Sequence, residues 1–182
     1  GKAQARMIIT DSQGRKQMRQ FTMVRKDQAD GADQDMLILF SRPSDVKGTM
    51  FRVAKHVNQD DDRWLYLPAL DLVKRISASD KRTSFVGSHF FYEDISGRNI
   101  ADDNFELATE TDSSYQLIVR PKVPAKVEFS YYKVLIDKKS MLPVSIDYFN
   151  QKDEVYRRIE ALKVELIQGK HTVTQSRASD LA

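Results

Sequence analysis

The chain has 182 residues, 41% of them apolar and 30% charged, which allows a sizeable core under a heavily solvated surface and does not read as disorder. Twenty-nine Lys and Arg stand against 26 Asp and Glu, for a formal charge of +3 and a pI of about 9.0; the excess is spread along the chain, without the basic stripe of a nucleic-acid binder. The absence of cysteine excludes disulfides, thiolate metal sites and cysteine nucleophiles, and no run approaches the roughly 20 apolar residues of a spanning helix.

Short β-branched and aromatic runs recur between turn residues, and nothing between them has the length and period of a crossover helix, so the pattern predicts an antiparallel meander. The first hairpin joins residues 6–10 to a long strand over 15–26 through Asp11-Ser12-Gln13-Gly14, a turn that supplies a side-chain acceptor and a positive-φ position. Met18, Gln20, Thr22 and Val24 alternate there with Gln17, Arg19, Phe21, Met23 and Arg25. Residues 27–35 read as a polar loop and 36–40 as a continuous apolar strand covered on both faces. Strands over 49–56, 63–67 and 72–77 follow. Later come the pairs 104–111 with 115–120, 127–137 with 142–150, and 155–168 with 172–177. The 155–168 element contains good helix formers, but Val155, Arg157, Ile159 and Ala161 alternate, and a strand is expected.

Residues 80–96 interrupt the strands. Phe85, Phe90, Phe91 and Ile95 are spaced irregularly for a strand, and Phe91 with Ile95 falls at the i, i+4 spacing of one helical face, with Ser88 as a candidate cap. Some ten antiparallel strands without repeats fit a strongly curved sheet forming a half-open barrel, mainly β with short helices over its concave face, and this segment is the expected lid.

Chemical motifs are sparse. His56, His89 and His171 have no paired-ligand spacing, Asp60-Asp61-Asp62 lacks the spacing of a calcium loop and reads as a solvated turn, and Gly87 and Gly97 fit no phosphate loop, so no metal or cofactor is expected. His89 and Glu93, four apart, would allow a carboxylate-oriented base in a helix, the one hydrolase reading available. Lys74, Arg75, Lys81 and Arg82 lie near Trp64, Tyr66 and Phe85, a mixture that suits a lipid headgroup, an acidic partner or single-stranded nucleic acid. Six methionines and nine phenylalanines spread through the strands suit a surface that accepts variable apolar shapes.

The run DDRWLYLPALDLVKRISASDKRTSFVGSHFFYEDIS (61–96), its lead-in Pro43-Ser44-Asp45-Val46-Lys47-Gly48-Thr49, and a second stretch PKVPAKVEFSYYKVLIDKKSMLPVSIDYFN (121–150) together resemble the outer-membrane lipoprotein-sorting protein family, relatives of the periplasmic Lol lipoprotein carriers (LolA/LolB-like). The resemblance implies one LolA-like domain over 1–182, truncated at both ends, whose concave face binds acyl chains. It further implies a periplasmic carrier, not an enzyme, that shields lipoprotein acyl chains or another lipid on the way to the outer membrane, its signal peptide removed. The alternative is an accessory of a membrane exporter that hands over a hydrophobic molecule. Its partners would be the lipid ligand and a membrane transporter or outer-membrane receptor, with no nucleic acid. The residues expected to line the cavity or lid are Met36, Ile38, Phe40, Phe51, Trp64, Tyr66, Phe85, Phe90, Phe91, Phe129 and Tyr131.

Overall fold

A computed structural model describes residues 1–28 and 33–182. Among these residues, twelve strands form two open, curved antiparallel sheets of six, each a meander in which sequence neighbours pair. The fold is mainly β and built of curved antiparallel sheet, as predicted, but its strands divide between two sheets where one was expected. The first sheet lies in a unit spanning Gly1–Arg98 and the second in a unit spanning Asn99–Ala182.

In the first unit the order is β1 (Lys2–Thr10), β2 (Lys16–Asp27), β3 (Gln34–Arg42), β4 (Met50–Lys55), β5 (Asp62–Leu67) and β6 (Leu72–Ile76). The first turn forms where expected. Asp11 Oδ1 accepts the N–H groups of Gln13 and Arg15 at 2.9 Å each, and Gly14 takes φ +78°, a conformation open to glycine without steric cost. The polar loop predicted over 27–35 is shorter at both ends, and its residues 29–32 lie outside the described residues.

Strand β3 corrects one expectation. Met36, Ile38 and Phe40 are buried, whereas Leu39 is 44% exposed, so the apolar run is covered on one face only. The register then fixes the inner face of the whole sheet, because Ile38 lies opposite Phe51 and Phe51 opposite Leu65. Trp64 and Tyr66 alternate with Leu65 and point the other way, opposite Arg52 and Met50. The inner face carries Phe21, Met36, Ile38, Phe40, Phe51, Val53, Leu65 and Ile76, all buried. Each such side chain contributes about 1.5–3 kcal/mol of transfer free energy, so this layer accounts for much of the unit's stability.

The second unit repeats the plan with β7 (Asp103–Glu110), β8 (Ser114–Pro121), β9 (Tyr131–Asp137), β10 (Pro143–Phe149), β11 (Val155–Ile167) and β12 (Lys170–Asp180). Helix propensity in β11 is overridden by pairing with β10 on one side and β12 on the other. The strand predicted over 127–137 starts only at Tyr131; the residues before it make a one-turn 3-10 helix, Pro124–Lys126, and place Phe129 against Val119, Tyr132, Val134 and Tyr148. The Tyr132 hydroxyl donates to buried Asp103 Oδ2 at 2.7 Å, satisfying a polar group at the edge of this core. The opposite face is laced by cross-strand pairs, Arg120 with Glu106 at 3.1 Å, Arg158 with Asp147 and Arg177 with Glu160 at 2.9 Å.

Candidate functional site

Residues 77–98 lie over the inner face of the first sheet with little regular structure: a one-turn 3-10 helix, Ala78–Asp80, and the five-residue α1 (Tyr92–Ser96). The backbone bonds that shape the segment close within it, Phe85 N–H to Phe90 O at 2.7 Å, Tyr92 N–H to Thr83 O at 3.1 Å and Glu93 N–H to Lys81 O at 2.8 Å. Asp94 caps α1 by accepting the Phe91 N–H at 2.6 Å. Ser88, the predicted cap, instead donates to Phe85 O at 2.7 Å and tightens the preceding turn.

Phe85 is the centre of this cover. It is fully buried, with ring centroids 5.9 Å from Phe40, 5.3 Å from Phe51 and 5.8 Å from Tyr92. Such tilted and edge-on aromatic contacts add to the area term. Phe90 and Ile95 pack half-buried against the same cluster, while Phe91, outside α1, lies under the Arg82 guanidinium at 5.1 Å. Met36, Ile38, Phe40, Phe51 and Phe85 are therefore brought together, with Phe90 at their margin. Trp64 and Tyr66 are on the opposite face, the first under Arg52 at 5.1 Å and the second donating its hydroxyl to Asp71 at 3.1 Å. Phe129 and Tyr131 belong to the other unit. Phe129 is core; Tyr131 stacks on Phe149 at 4.5 Å, and burial together with its bond to Asp153 pushes its phenol up to about 12.

A ring of charge that sequence reading missed encircles α1. The Glu93 side chain, 2% exposed, sits 3.3 Å from Lys81 Nζ and 3.1 Å from both Arg82 and Arg98. Burial alone would raise its carboxyl, but the three cations outweigh this and hold it below the usual carboxylate range. On the sheet, Arg63 occupies an inward position of β5 and donates through Nη2 to Asp61 at 2.9 Å and to Ser96 Oγ of α1 at 3.1 Å. Lys55 of β4 donates to Gly97 O at 2.7 Å, and Lys81 reaches Asp60 at 3.5 Å. The aspartate triplet expected to be a solvated turn is thus an ion-pairing loop: Asp61 also accepts the His56 N–H at 3.0 Å, and Asp62 contacts the His56 ring at 3.2 Å. The only sequence signal for Arg63 was its phase, since it alternates in step with Leu65 and Leu67.

His89 precedes α1, so the helical His89–Glu93 pair does not form, and the Glu93 carboxylate is taken by cations. Of the expected basic cluster, Lys74 and Arg75 are exposed on β6, whereas Lys81 and Arg82 turn inward to Glu93. Among the described residues no His, Asp and Glu side chains gather as a metal site, and no helix is long and apolar enough to cross a membrane. A groove of about 480 Å³ crosses β1–β3, but Gln4, Arg6, Gln20, Thr22 and Ser41 make it polar. In the second unit the inner face continues beyond Phe129 through half-buried Leu117, Ile136, Ile146 and Ile159, and on β7 it exposes Phe105 and Leu107.

Comparison with known proteins gives this geometry its setting. The model of a family described as "Uncharacterized protein" matches residues 32–182. No curated protein matches the chain. Among solved structures, a DUF1329 family protein from Desulfovibrio piger is 34% identical, with a TM-score of 0.88 over 98% of this chain and 78% of that one. A domain described as an outer membrane lipoprotein-sorting protein, from Vibrio parahaemolyticus, is 26% identical, with a TM-score of 0.89 over 99% and 77%. A LolA superfamily protein from Nitrosomonas europaea, 14% identical, shares the fold with a TM-score of 0.67 over 100% and 76%.

Proposed function

We propose that this chain, which belongs to the DUF1329 family of LolA/LolB-like proteins, is a non-enzymatic periplasmic carrier of lipid, with the acyl chains of lipoproteins as its leading cargo. The observation that carries the reading is the cover over the first sheet. A segment of 77–98 with one five-residue helix supplies the aromatic side chains that fill the inner face, and named side-chain ties join it to the sheet. Withdrawing Phe85, Phe90 and Tyr92 would leave a trough floored by Met36, Ile38, Phe40 and Phe51, a surface fitted to an acyl chain. Each methylene removed from water contributes about 0.8 kcal/mol, so a chain of modest length repays the aromatic contacts it displaces. Release then needs only a more apolar acceptor or the return of the cover. The likeness to a lipoprotein-sorting domain supports the cargo class, and the whole chain acts as one LolA-like domain.

The test is saturable binding of a fluorescent fatty acid by the purified protein, competed by unlabelled lipid and by a triacylated peptide, followed by transfer of labelled lipid between two vesicle populations. Saturable binding with protein-dependent transfer supports the carrier. Absence of saturable binding to all of these ligands overturns it.

A further inference from the structure

Arg63 is buried more deeply than its hydrogen bonds explain. Its side chain is 3% exposed, yet only Nη2 has acceptors, Asp61 and Ser96; Nε and Nη1, both shielded from solvent, have no protein partner. An N–H of a buried guanidinium left without an acceptor costs free energy, and such a group is tolerated best where an acceptor is supplied part of the time. Beside it lies a void of about 10 Å³ lined by Arg25, Gln34, Met36, Val53, Lys55 and Ser96. Val53 is the residue directly opposite Arg63 in the sheet, and Ser96, which accepts from the Arg63 guanidinium at 3.1 Å, lines the void as well. Arg25 and Lys55 thus line the void and Arg63 adjoins it through Ser96, and Asp61, 3.6 Å from Lys55 and 2.9 Å from Arg63, is the carboxylate paired with these last two cations. The same spot lies under α1, at the edge of the apolar floor formed by Met36 and Val53.

A cationic corner at the end of an apolar trough has the layout of an amphiphile site, with chain along the floor and head at the corner. Resting on the carrier reading above, we propose that Arg63 and Lys55, with Arg25 at the rim, form a head-group subsite selecting anionic amphiphiles, those ending in a carboxylate or phosphate, over neutral ones. The head-group oxygen takes the unpartnered Arg63 N–H in place of the Ser96 side of the cover, and Lys55 moves from the Gly97 carbonyl to the anion. A charge-assisted bond in a place shielded from water is strong enough to set the preference.

The experiment is displacement of the neutral probe N-phenyl-1-naphthylamine from the full chain at pH 8 by matched pairs: palmitate against hexadecanol, and lysophosphatidate against monoacylglycerol, with inorganic phosphate alone as a further arm. The expected result is that each anion competes about tenfold or more better than its neutral partner, and that Lys55→Met and Arg63→Met remove this ratio, any loosening of the cover changing both members of a pair alike. Should Arg63→Met fail to fold, Lys55→Met, at a partly exposed position, decides. Equal competition within each pair overturns the subsite and leaves the carrier standing. Competition by no lipid overturns both. Competition by inorganic phosphate as strong as by lysophosphatidate identifies an ion site and overturns the amphiphile assignment.

Discussion

The Glu93 carboxylate and the Arg98 guanidinium, five residues apart in the chain and 3.1 Å apart in space, meet where water is almost excluded, with Lys81 and Arg82 on the same carboxylate. One carboxylate therefore joins three cations drawn from both ends of the cover segment, Lys81 being shared with Asp60, and ties the segment together. Removing a partner from a buried ion cluster leaves uncompensated charge and costs about 3–5 kcal/mol. Glu93→Gln is expected to lower the denaturation midpoint accordingly at pH 7. Because the folded carboxyl is held below its unfolded value, near 4.5, its stabilisation is fully present above that value and is lost as pH falls through the folded one. Denaturant titrations from pH 7 to pH 3 should show the wild-type and Glu93→Gln curves converging on the acid side; parallel curves would show that Glu93 does not hold the segment.

How far this arrangement could be read in advance depends on the kind of signal each residue carries. The strands were legible because Phe21, Leu65, Tyr132 and Val134 stand at every second position between turn residues. The inner face was not, since Trp64 and Tyr66 alternate with Leu65 and Leu67 as equally apolar sets, and only the pairing of Leu65 with Phe51 decides between them. The separation into two sheets left no mark, because a strand pattern does not say which neighbour it will pair with. Arg63 and the Glu93 cluster were hidden for another reason. An arginine in an inward phase reads as the end of an apolar pattern, and cations at 81, 82 and 98 have no periodic relation to 93.

Two phenylalanines of the cover should behave differently. Phe85 is fully buried among Phe40, Phe51 and Tyr92, so Phe85→Ala is expected to cost about 3–5 kcal/mol, the usual range for a core Phe. Phe91 is half-buried under Arg82 and should cost about 1 kcal/mol when cut to Ala, while speeding release of a bound fluorescent fatty acid. Equilibrium denaturation and stopped-flow release measure the two effects. Equal destabilisation by both substitutions would make Phe91 core and remove it from the cover's moving part.

A second pH effect runs in the opposite sense. The His56 ring lies between Asp33 at 3.1 Å and Asp62 at 3.2 Å, and these hydrogen bonds raise its pKa above 6.5, Asp33 contributing most. Protonated His56 is the favoured form in the fold, so its stabilisation is complete below the unfolded value and is lost as pH rises from 6.5 through the raised folded value. A ring-proton NMR titration should report the raised pKa, and His56→Gln should flatten the stability profile across that window. A midpoint at or below 6.5 would show that the two aspartates do not grip the ring.

The carrier reading also fixes what hydrogen exchange must show. Backbone bonds within the cover, Phe85 to Phe90, Tyr92 to Thr83 and Glu93 to Lys81, depend on the segment keeping its own shape over the apolar face, whereas Ile38, Phe51 and Leu65 belong to ladders that a ligand leaves intact. Without ligand, amides of residues 83–95 are expected to exchange through local opening, faster than those of β3–β5 but slower than free coil, because Phe85 must leave its cluster each time. A bound acyl chain that takes the place of Phe85 keeps the segment displaced, so protection at 83–95 should fall on addition of saturating fatty acid while β3–β5 become no less protected. Exchange measured by mass spectrometry with and without palmitate separates the alternatives. Unchanged or increased protection over 83–95 at saturation would mean that the chain binds elsewhere, the exposed Phe105 and Leu107 of β7 being the next surface to probe, and that the cover is permanent core.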